Sequence, residues 1–357
     1  MKVWQIASGE EGRRYTDLFL EYDVMFRGPG IYGPYDKTKY SEVVRRKEFT
    51  SQHIGQLRRF CTEVEPGDIV LLRQGNRVLS LGVVEKRGYQ WDERFEDIYG
   101  WDLQHSHRVI WQNQLANDLK AIESKHRAFA HMRSIPTFTQ VWDEKVLVLM
   151  RPLFDRIAER ALKPLPQEPS KPLTSEELRE RLFLKGVSYD AVGRVATALE
   201  KLRGLVGWYS TGKAGPRRPT EHEVRAHGVL PLLLALGWSE QLLAVEWRNI
   251  DIAVFNGTPT DERTCKLVCE AKTPGHGLQN VPQQAMGYVA KKKLSACDKI
   301  LVTNGQRFYL YRRKGEEWNQ EPSGYLNIFK IRESHVHPRN TDAVQTLVDL
   351  APMSIDR

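Results

Sequence analysis

Two breaks in the chain most constrain its fold, because they divide the 357 residues into separate folding units. The first is a proline cluster between Pro164 and Pro172, and the second is the run from Gly212 to Pro219. Proline and glycine interrupt regular structure, and domains usually hold roughly 100–200 residues. We therefore expect one domain over residues 1–150, a helical connector over 151–218 and a second domain over 219–357.

The charge and the cysteines narrow the class of protein. The 53 Lys and Arg residues exceed the 45 Asp and Glu residues, which gives a net charge of +8 and makes a polyanion the first partner to consider. The sequence has no apolar run that approaches a bilayer span and no secretory leader, so we expect a cytoplasmic protein without a membrane partner. The four cysteines form no C-x-x-C pair, which favours reduced core residues over a disulfide frame or a zinc site.

Short apolar segments bounded by turns dominate the first 150 residues. They predict strands at residues 3–7, 68–72, 78–84 and 108–111. Short strands at irregular spacing favour a small barrel, so we expect a β-barrel with helices in the N-terminal domain.

The second domain begins with a long helix pattern and continues as strands. The helix pattern spans residues 221–236, and strands are predicted near 250–255, 266–271, 299–303 and 308–312. This order predicts an α/β domain, so the expected fold class is a β-barrel domain followed by an α/β domain.

Two glycine patterns resemble phosphate-binding loops, but neither has the required context. Gly28 to Gly33 fits G-x-G-x-x-G and is followed by Pro34 instead of a helix. Gly207 to Lys213 fits G-x-x-x-x-G-K, but Ala214 stands where a magnesium-binding hydroxyl belongs. We therefore expect no nucleotide cofactor.

The chemistry is concentrated at the end of a predicted hairpin. A turn centred on Thr260 and Asp261 pairs strand residues whose numbers sum to 521, which puts Asp251 opposite Glu270. Lys272 then projects on the same face as Glu270, while Ala271 turns into the core. Two facing carboxylates repel each other unless a cation with oxygen ligands binds, so we expect Mg²⁺, with Mn²⁺ as an alternative, and Lys272 orienting or deprotonating a water.

The E-x-K pattern alone is common, since Glu123 to Lys125 also matches it in a polar helical stretch. The second example differs because it ends an apolar strand, has an acidic partner and is followed by Gln284 and Tyr288 at helical i, i+4 spacing. The alternative explanation of the Gln–Tyr pair is ordinary amphipathic packing.

These residues belong to a larger set with a recognisable order and spacing. The set comprises Thr220, Glu221, Arg225, Leu230, Pro231, Leu236, Gly237, Trp238, Arg248, Asp251, Glu270, Lys272, Gln284, Tyr288, Thr303, Asn304 and Gly305. It resembles the nuclease domain of the motor subunit of type I restriction enzymes and its stand-alone relatives, within the PD-(D/E)XK superfamily, over about residues 219–312. The resemblance implies magnesium-dependent cleavage of DNA phosphodiesters.

The same resemblance assigns roles to residues of this chain. It implies that Asp251 and Glu270 are metal ligands, that Lys272 is the catalytic lysine, and that Gln284 and Tyr288 support the lysine and the DNA backbone. It also implies a helix acid facing the site, for which Glu221 is favoured over Glu223 by register. Ile250 departs from the superfamily name, which has proline at that position, and Pro231 predicts a kink after the acid-bearing turn.

A basic stretch follows the E-x-K motif. Residues 271–314 hold nine Lys and Arg residues against one acid, Asp298. Lys291, Lys292 and Lys293 are its densest part, and we expect them to contact the DNA backbone. The alternative explanation is a solvated basic helix end.

Aromatic residues are frequent in the N-terminal domain, which holds five of the nine tryptophans within residues 1–142, together with Tyr32, Tyr35 and Tyr89. Aromatic walls can sandwich an extruded base. The opening strand with Trp4 and Ser8, the turn into Asp68 and the run around Gly82 resemble the EVE and YTH branches of the PUA-like fold, over about residues 1–115. Those domains hold modified bases.

The modified-base pocket that this resemblance implies would use Trp4, Ser8, Phe26, Trp91 and Trp101. The alternative explanation is that large aromatics fill a small core, and Trp111, on an apolar strand, is the clearest core residue.

Together, the two resemblances predict a modification-dependent restriction endonuclease that reads a modified base, most simply a modified cytosine, in double-stranded DNA and cuts nearby. Since each catalytic centre cuts one strand, we expect a homodimer or paired complexes. Two alternatives stay open: a nucleic-acid sensor with an inactive nuclease fold, and a repair or structure-specific nuclease.

Overall fold

The computed structural model describes residues 1–10, 13–75, 77–125, 137–210 and 219–354, with the side chains of residues 10, 13, 125 and 210 left aside. The chain divides into two compact units, Met1–Glu168 and Pro169–Arg357. The helices expected to form a separate connector over 151–218 therefore belong to the second unit. Residues 211–218, which hold the end of the G-x-x-x-x-G-K match, lie outside the described residues.

The first unit combines strands of 2–7 residues and one strand of 15 residues, Arg77–Trp91, with helices of 7–12 residues. Its strands, within the described ranges, are β1 (Val3–Ala7), β2 (Gly9–Glu10), β3 (Arg13–Arg14), β4 (Val24–Arg27), β5 (Ile69–Gln74), β6 (Arg77–Trp91), β7 (His105–Trp111) and β8 (Phe138–Gln140). Its helices are α1 (Thr16–Tyr22), α2 (Lys37–Arg45), α3 (Ser51–Thr62), α4 (Ala116–Lys125) and α5 (Glu144–Phe154).

The first unit is built on an open sheet, which corrects the predicted barrel. Among the described residues, six strands pair in the order β4-β7-β6-β5-β1-β8, while β2 and β3 form a separate pair. The β1–β5 pair is parallel and the other pairs of this sheet are antiparallel. A barrel would need its two edge strands to pair with each other, and β4 and β8 do not pair.

The second unit places helices before, between and after its strands. Its described helices are α6 (Ser175–Leu184), α7 (Tyr189–Ser210), α8 (Glu221–Val224), α9 (Leu230–Ala235), α10 (Val281–Lys291) and α11 (Ala343–Leu350). Its described strands are β9 (Leu243–Trp247), β10 (Ile250–Phe255), β11 (Cys265–Ala271), β12 (Lys299–Thr303), β13 (Arg307–Lys314), β14 (Glu317–Trp318) and β15 (Gly324–Asn327). The chain is thus a mixed α/β protein, and none of the helices in the described ranges is long and apolar enough to cross a bilayer.

The sheet of the second unit pairs its described strands in the order β14-β13-β12-β11-β10-β9, and β15 also pairs with β13. β11 and β12 are parallel, and α10 is the connection between them. A parallel pair needs such a crossover, which brings the helix back over the sheet beside the end of β11.

One hydrophobic core joins the helices of the second unit to its sheet. Leu199 and Leu202 of α7 and Leu233 of α9 are buried in the same cluster as Ile252 and Leu301 of the sheet. Burial of a leucine side chain stabilises a fold by roughly 1.5–3 kcal/mol, so α7 and α9 are fixed to the sheet by packing.

The predicted helix over 221–236 is interrupted by a π-turn at Arg225–Val229. Within it, the Leu230 N–H donates to the carbonyl of Arg225, five residues earlier. Pro231 follows, and since proline has no N–H and its ring crowds the preceding turn, the helix widens at this point instead of continuing as a regular α-helix.

Candidate active site

The hairpin of β10 and β11 has the predicted register. Ile252 pairs with Cys269, Ala253 with Val268 and Val254 with Leu267, so each pair of numbers sums to 521. A bulge near Phe255 shifts the pairing at the turn end only. Extended by one residue at the other end, this register sets Asp251 across from Glu270.

Glu270 and Lys272 meet at the end of β11. The Lys272 ammonium donates to Glu270 Oε1 at 2.7 Å, and the backbone N–H of Lys272 donates to the Thr303 carbonyl on β12. Ala271, between them, is buried, as alternation along the strand predicts. Glu270 is itself only 4% exposed, so a carboxylate and an amine face each other at the buried end of a strand.

Helix α10 brings two further side chains to Glu270. Gln284 Nε2 donates to Glu270 Oε1 at 2.8 Å and lies 2.9 Å from the Tyr288 hydroxyl oxygen. Gln284 and Tyr288 are one helical turn apart, which explains why both face the strand end. The side chain of Gln284 therefore links the tyrosine to the buried carboxylate.

The helix acid that faces this cluster is Glu221. Its Oε1 lies 3.9 Å from the Lys272 ammonium. Glu223 is engaged elsewhere, because it forms a capping box with Thr220 at the start of α8. Gly305 allows α8 to approach closely: its φ is +82°, and a Cβ there would lie 3.3 Å from Val224.

Asp251 has two partners. Its Oδ1 accepts from Arg225 at 2.5 Å and its Oδ2 accepts from the Ala271 N–H at 2.7 Å. Arg225 also donates to Glu246 on β9 at 3.0 Å. Neither Arg225 nor Glu246 was expected from the sequence to have a role at this site. A two-residue turn at Arg248 and Asn249 pairs Ile250 with Trp247. Had that turn been recognised in the sequence, the same register would have placed Glu246 opposite Asp251.

Burial and charge shift the acid–base chemistry of the pair. Burial, together with the nearby charges of Asp251 and Glu221, raises the pKa of Glu270 despite the hydrogen bond from Lys272. Burial lowers the pKa of Lys272, but the hydrogen bond to Glu270 and the surrounding carboxylates outweigh it, and the pKa of Lys272 is raised. Lys272 is therefore an ammonium at neutral pH.

The donor set fits a hard divalent cation. Asp251, Glu270 and Glu221 offer carboxylate oxygens, which Mg²⁺ and Mn²⁺ prefer over nitrogen or sulfur. The ammonium of Lys272 already lies between Glu270 and Glu221 as a positive centre. Within the part of the chain that the structure describes, no group of three or more His, Cys, Asp or Glu side chains is placed to hold a metal ion. Asp251 and Glu270 contact Arg225 and Lys272 instead.

The basic stretch divides into exposed and buried members. Lys291 ends α10, Lys292 caps it, and Lys293 follows with φ of +56°; Lys291 and Lys293 are exposed. Lys299, in contrast, is 2% exposed and donates to the carbonyls of Asp349 and Ser354. Lys299 is a structural residue that holds the end of α11 and the chain after it, so it does not belong with the exposed lysines.

Three of the five residues expected to form the base pocket are core residues. Trp4 is fully buried, stacks on Phe138 at 5.2 Å and donates to Asp68 at 2.8 Å. Ser8 is buried and hydrogen-bonded to Arg73 and Thr16. Phe26 is 4% exposed. Their surfaces are covered by the fold itself, so the pocket expectation is corrected for all three, and Trp111, at 1% exposure, is core as predicted.

Trp91 belongs to a partly exposed group that we call the aromatic cluster, formed by Tyr32, Tyr35, Tyr40, Tyr89, Trp91 and His105. The Trp91 ring contacts the His105 ring edge-on, with ring centroids 5.0 Å apart. The Tyr89 ring stacks on the same His105 ring, with centroids 6.0 Å apart. Tyr35 stacks on Tyr40 at 5.3 Å. Trp101, also half-buried, forms a β-bridge with Ile98.

Hydrogen bonds join His105 to two tyrosines of the aromatic cluster and to Cys61. Tyr89 and Cys61 contact its Nδ1 at 2.9 and 3.6 Å, and Tyr40 contacts its Nε2 at 2.9 Å. Burial lowers the pKa of His105 to about 4 and raises the pKa of the Cys61 thiol. At neutral pH the cluster is therefore uncharged, and Cys61 is a thiol rather than a nucleophilic thiolate.

Residues 28–139 match a family model described as a domain of unknown function, DUF8426. The matched segment lies within the first unit, carries the whole aromatic cluster and covers just under a third of the chain. No curated protein matches the chain.

Proposed function

We propose that this protein is a divalent-cation-dependent DNA endonuclease that cuts near a modified base. The observation that carries the proposal is the convergence of Asp251, Glu270 and Lys272 at one end of the β10–β11 hairpin, with Glu221 from α8 and Gln284 from α10 beside them. Carboxylates, an amine and an amide from four elements meet at the end of one strand. Packing of apolar side chains does not require this convergence of polar groups.

The residues that would hold the cation are Asp251 and Glu270, with Glu221 facing them across Lys272. A divalent ion in such a set supplies charge stabilisation to a phosphodiester and lowers the pKa of an attacking water. Gln284 keeps the Glu270 carboxylate oriented, because it donates to the same oxygen that Lys272 contacts.

Lys272 acts as a cation in this scheme. Its raised pKa keeps it protonated, so it binds a phosphate oxygen and orients water by donating hydrogen bonds. Of the two roles expected from the sequence, a protonated Lys272 favours orienting the water over deprotonating it. The exposed Lys291 and Lys293, which follow in the chain, would contact the DNA backbone.

Recognition of the modified base would belong to the aromatic cluster of the first unit. Its half-buried rings, Tyr35, Tyr89 and Trp91, offer flat apolar surfaces; Tyr89 is oriented by its hydrogen bond to His105, and the other two by ring contacts with Tyr40 and His105. Stacking on such rings contributes about 1–3 kcal/mol per base. Because one centre cuts one strand, a double-strand break would need two copies of the protein on the DNA.

The test is a cleavage panel with the full chain. DNA carrying plain cytosine, 5-methylcytosine, hydroxymethylcytosine or glucosylated hydroxymethylcytosine is incubated with Mg²⁺, Mn²⁺ or EDTA. We expect cation-dependent cleavage of a modified substrate, and Asp251→Asn, Glu270→Gln and Lys272→Ala should each reduce it by about 10²-fold or more, the usual cost of removing a catalytic group.

Three outcomes would contradict the proposal in different ways. Cleavage that survives all three substitutions would exclude this centre. Binding of modified DNA without cleavage under any cation would identify a sensor with an inactive nuclease fold. Equal cleavage of modified and plain DNA would exclude a modification-dependent enzyme and favour a repair or structure-specific nuclease.

A further inference from the structure

Three carboxylates lie in a row across three neighbouring strands. In the β9–β10 hairpin, Ile252 pairs with Val245 and Ala253 with Ala244, and the same register sets Asp251 opposite Glu246. The β10–β11 register sets Asp251 opposite Glu270. The candidate site therefore continues beyond the two predicted ligands to a third acid, Glu246.

Glu246 differs from the other two acids in its surroundings. Its side chain is 62% exposed, whereas that of Asp251 is 16% exposed and that of Glu270 is 5% exposed. Its φ is +56°, a left-handed conformation that is strained for a residue other than glycine and that interrupts the regular ladder at this position. Glu246 is thus an accessible carboxylate held beside a buried site.

Arg225 bridges the site and this outer carboxylate. One terminal nitrogen of its guanidinium donates to Asp251 at 2.5 Å and the other donates to Glu246 at 3.0 Å. The side chain of Arg225 is 12% exposed. Arg225 is the first residue of the π-turn, and its backbone carbonyl accepts the hydrogen bond that closes the turn. Arg225 therefore has one partner inside the site and one outside it.

The formal charges of the group are not balanced by the protein. Glu221, Glu246, Asp251 and Glu270 are four carboxylates, and Arg225 and Lys272 pair with them, which leaves a formal charge of −2 when His222, 3.8 Å from Glu246, is counted as neutral. One divalent cation would neutralise that charge. Arg225 opposes its binding, however, because it occupies Asp251 Oδ1 and repels any cation placed there.

We propose that Arg225 is the counter-cation of Asp251 in the cation-free protein and that it releases Asp251, remaining paired with Glu246 alone, when a divalent cation binds. The inference rests on the proposed cation site. Glu246 keeps the guanidinium of Arg225 paired after the guanidinium leaves Asp251. Arg225 and Glu246 together therefore set the affinity of the site for a divalent cation, and so the cation concentration at which the site fills. Arg225 is a positioning residue here, since it acts through Asp251.

Calcium and manganese binding to the full chain, without DNA, tests the proposal. Isothermal titration with CaCl₂ or MnCl₂ should show Arg225→Gln binding about tenfold more tightly than the natural protein, because a competing like charge is gone. Glu246→Gln should bind more weakly by several-fold, because Arg225 then stays on Asp251. Asp251→Asn should lose most of the binding.

A double-substituted variant separates the release of Asp251 by Arg225 from long-range charge. If Glu246 acts through Arg225, Glu246→Gln has little effect on binding in the Arg225→Gln background. If Glu246 acts only as a distant negative charge, Glu246→Gln weakens cation binding equally in both backgrounds. That result would exclude the release of Asp251 by Arg225. Unchanged or weaker binding by Arg225→Gln would overturn the proposal.

Two further comparisons keep the test decisive. Arg225→Lys retains the charge but cannot bridge two carboxylates as a guanidinium does, so this variant should bind calcium more tightly than the natural protein. It replaces Arg225→Gln in the test if circular dichroism shows that Arg225→Gln is unfolded. A natural protein that binds neither ion, or an Asp251→Asn variant that binds both normally, would reject the proposed function itself. Failure of the Arg225 and Glu246 variants alone rejects only this inference.

Discussion

At the level of single residues, Glu270 has the most unfavourable surroundings of the candidate site. It is buried, and its hydrogen bonds from Lys272 and Gln284 do not fully offset the loss of water and the charges of Asp251 and Glu221, so its pKa is raised. An ionised carboxylate in such surroundings reduces stability in the absence of a cation. This is the compromise expected where a carboxylate is retained for binding rather than for folding.

Glu270→Gln should therefore stabilise the cation-free protein. The raised pKa means that ionisation of Glu270 costs stability as the pH rises from about 4.3, the ordinary value for glutamate, through its value in the fold. In EDTA at pH 7 the variant should melt at a higher temperature, by roughly 2–4 °C per kcal/mol gained, and the difference should vanish below pH 4. Glu180→Gln, an exposed acid on α6, is the matched control and should leave the melting temperature unchanged. A lower melting temperature for Glu270→Gln at pH 7 would contradict this account.

At the level of elements, two capping boxes of the same type offer a controlled experiment. Thr220 and Glu223 cap α8, which carries Glu221 to the site, and Thr174 and Glu177 cap α6, which carries no site residue. Thr220→Ala and Thr174→Ala should each cost about 1 kcal/mol in urea unfolding. Only Thr220→Ala should also weaken calcium binding, because it loosens the turn that bears Glu221. Equal loss of calcium binding in both variants would show that α8 does not orient the site.

The elements also show which parts of the structure the sequence could predict. The β10–β11 register followed from turn symmetry and strand alternation, which are local rules, and it set Asp251 across from Glu270 correctly. The barrel was wrong because closure depends on whether β4 and β8 meet, and local patterns do not encode the pairing of edge strands. Glu246 was missed because its strand β9 is short and is half-buried or exposed along its whole length, so it shows no alternation between a buried and an exposed face.

At the level of the whole molecule, aromatic content alone did not identify the proposed reader surface. Trp4 and Trp91 have the same ring, but Trp4 is fully buried and Trp91 is half-buried beside Tyr89 and His105. Which ring stays accessible depends on how the helices cover the sheet, and this is a property of the tertiary structure. Since the aromatic cluster and the carboxylates belong to different units, recognition and cleavage should respond separately to substitution.

Trp91→Ala tests that separation, with Trp142→Ala as its control, since Trp142 is 74% exposed and lies outside the aromatic cluster. Loss of the Trp91 ring should cost about 1–3 kcal/mol of base stacking, which is roughly a 5- to 150-fold loss of affinity for modified over plain DNA in fluorescence anisotropy. Calcium binding should stay at the natural level in both variants, because the carboxylates belong to the other unit. Trp142→Ala should retain the preference for modified DNA. If Trp91→Ala also retains it, the aromatic cluster is not the reader, and if Trp91→Ala loses calcium binding, the two units are energetically coupled.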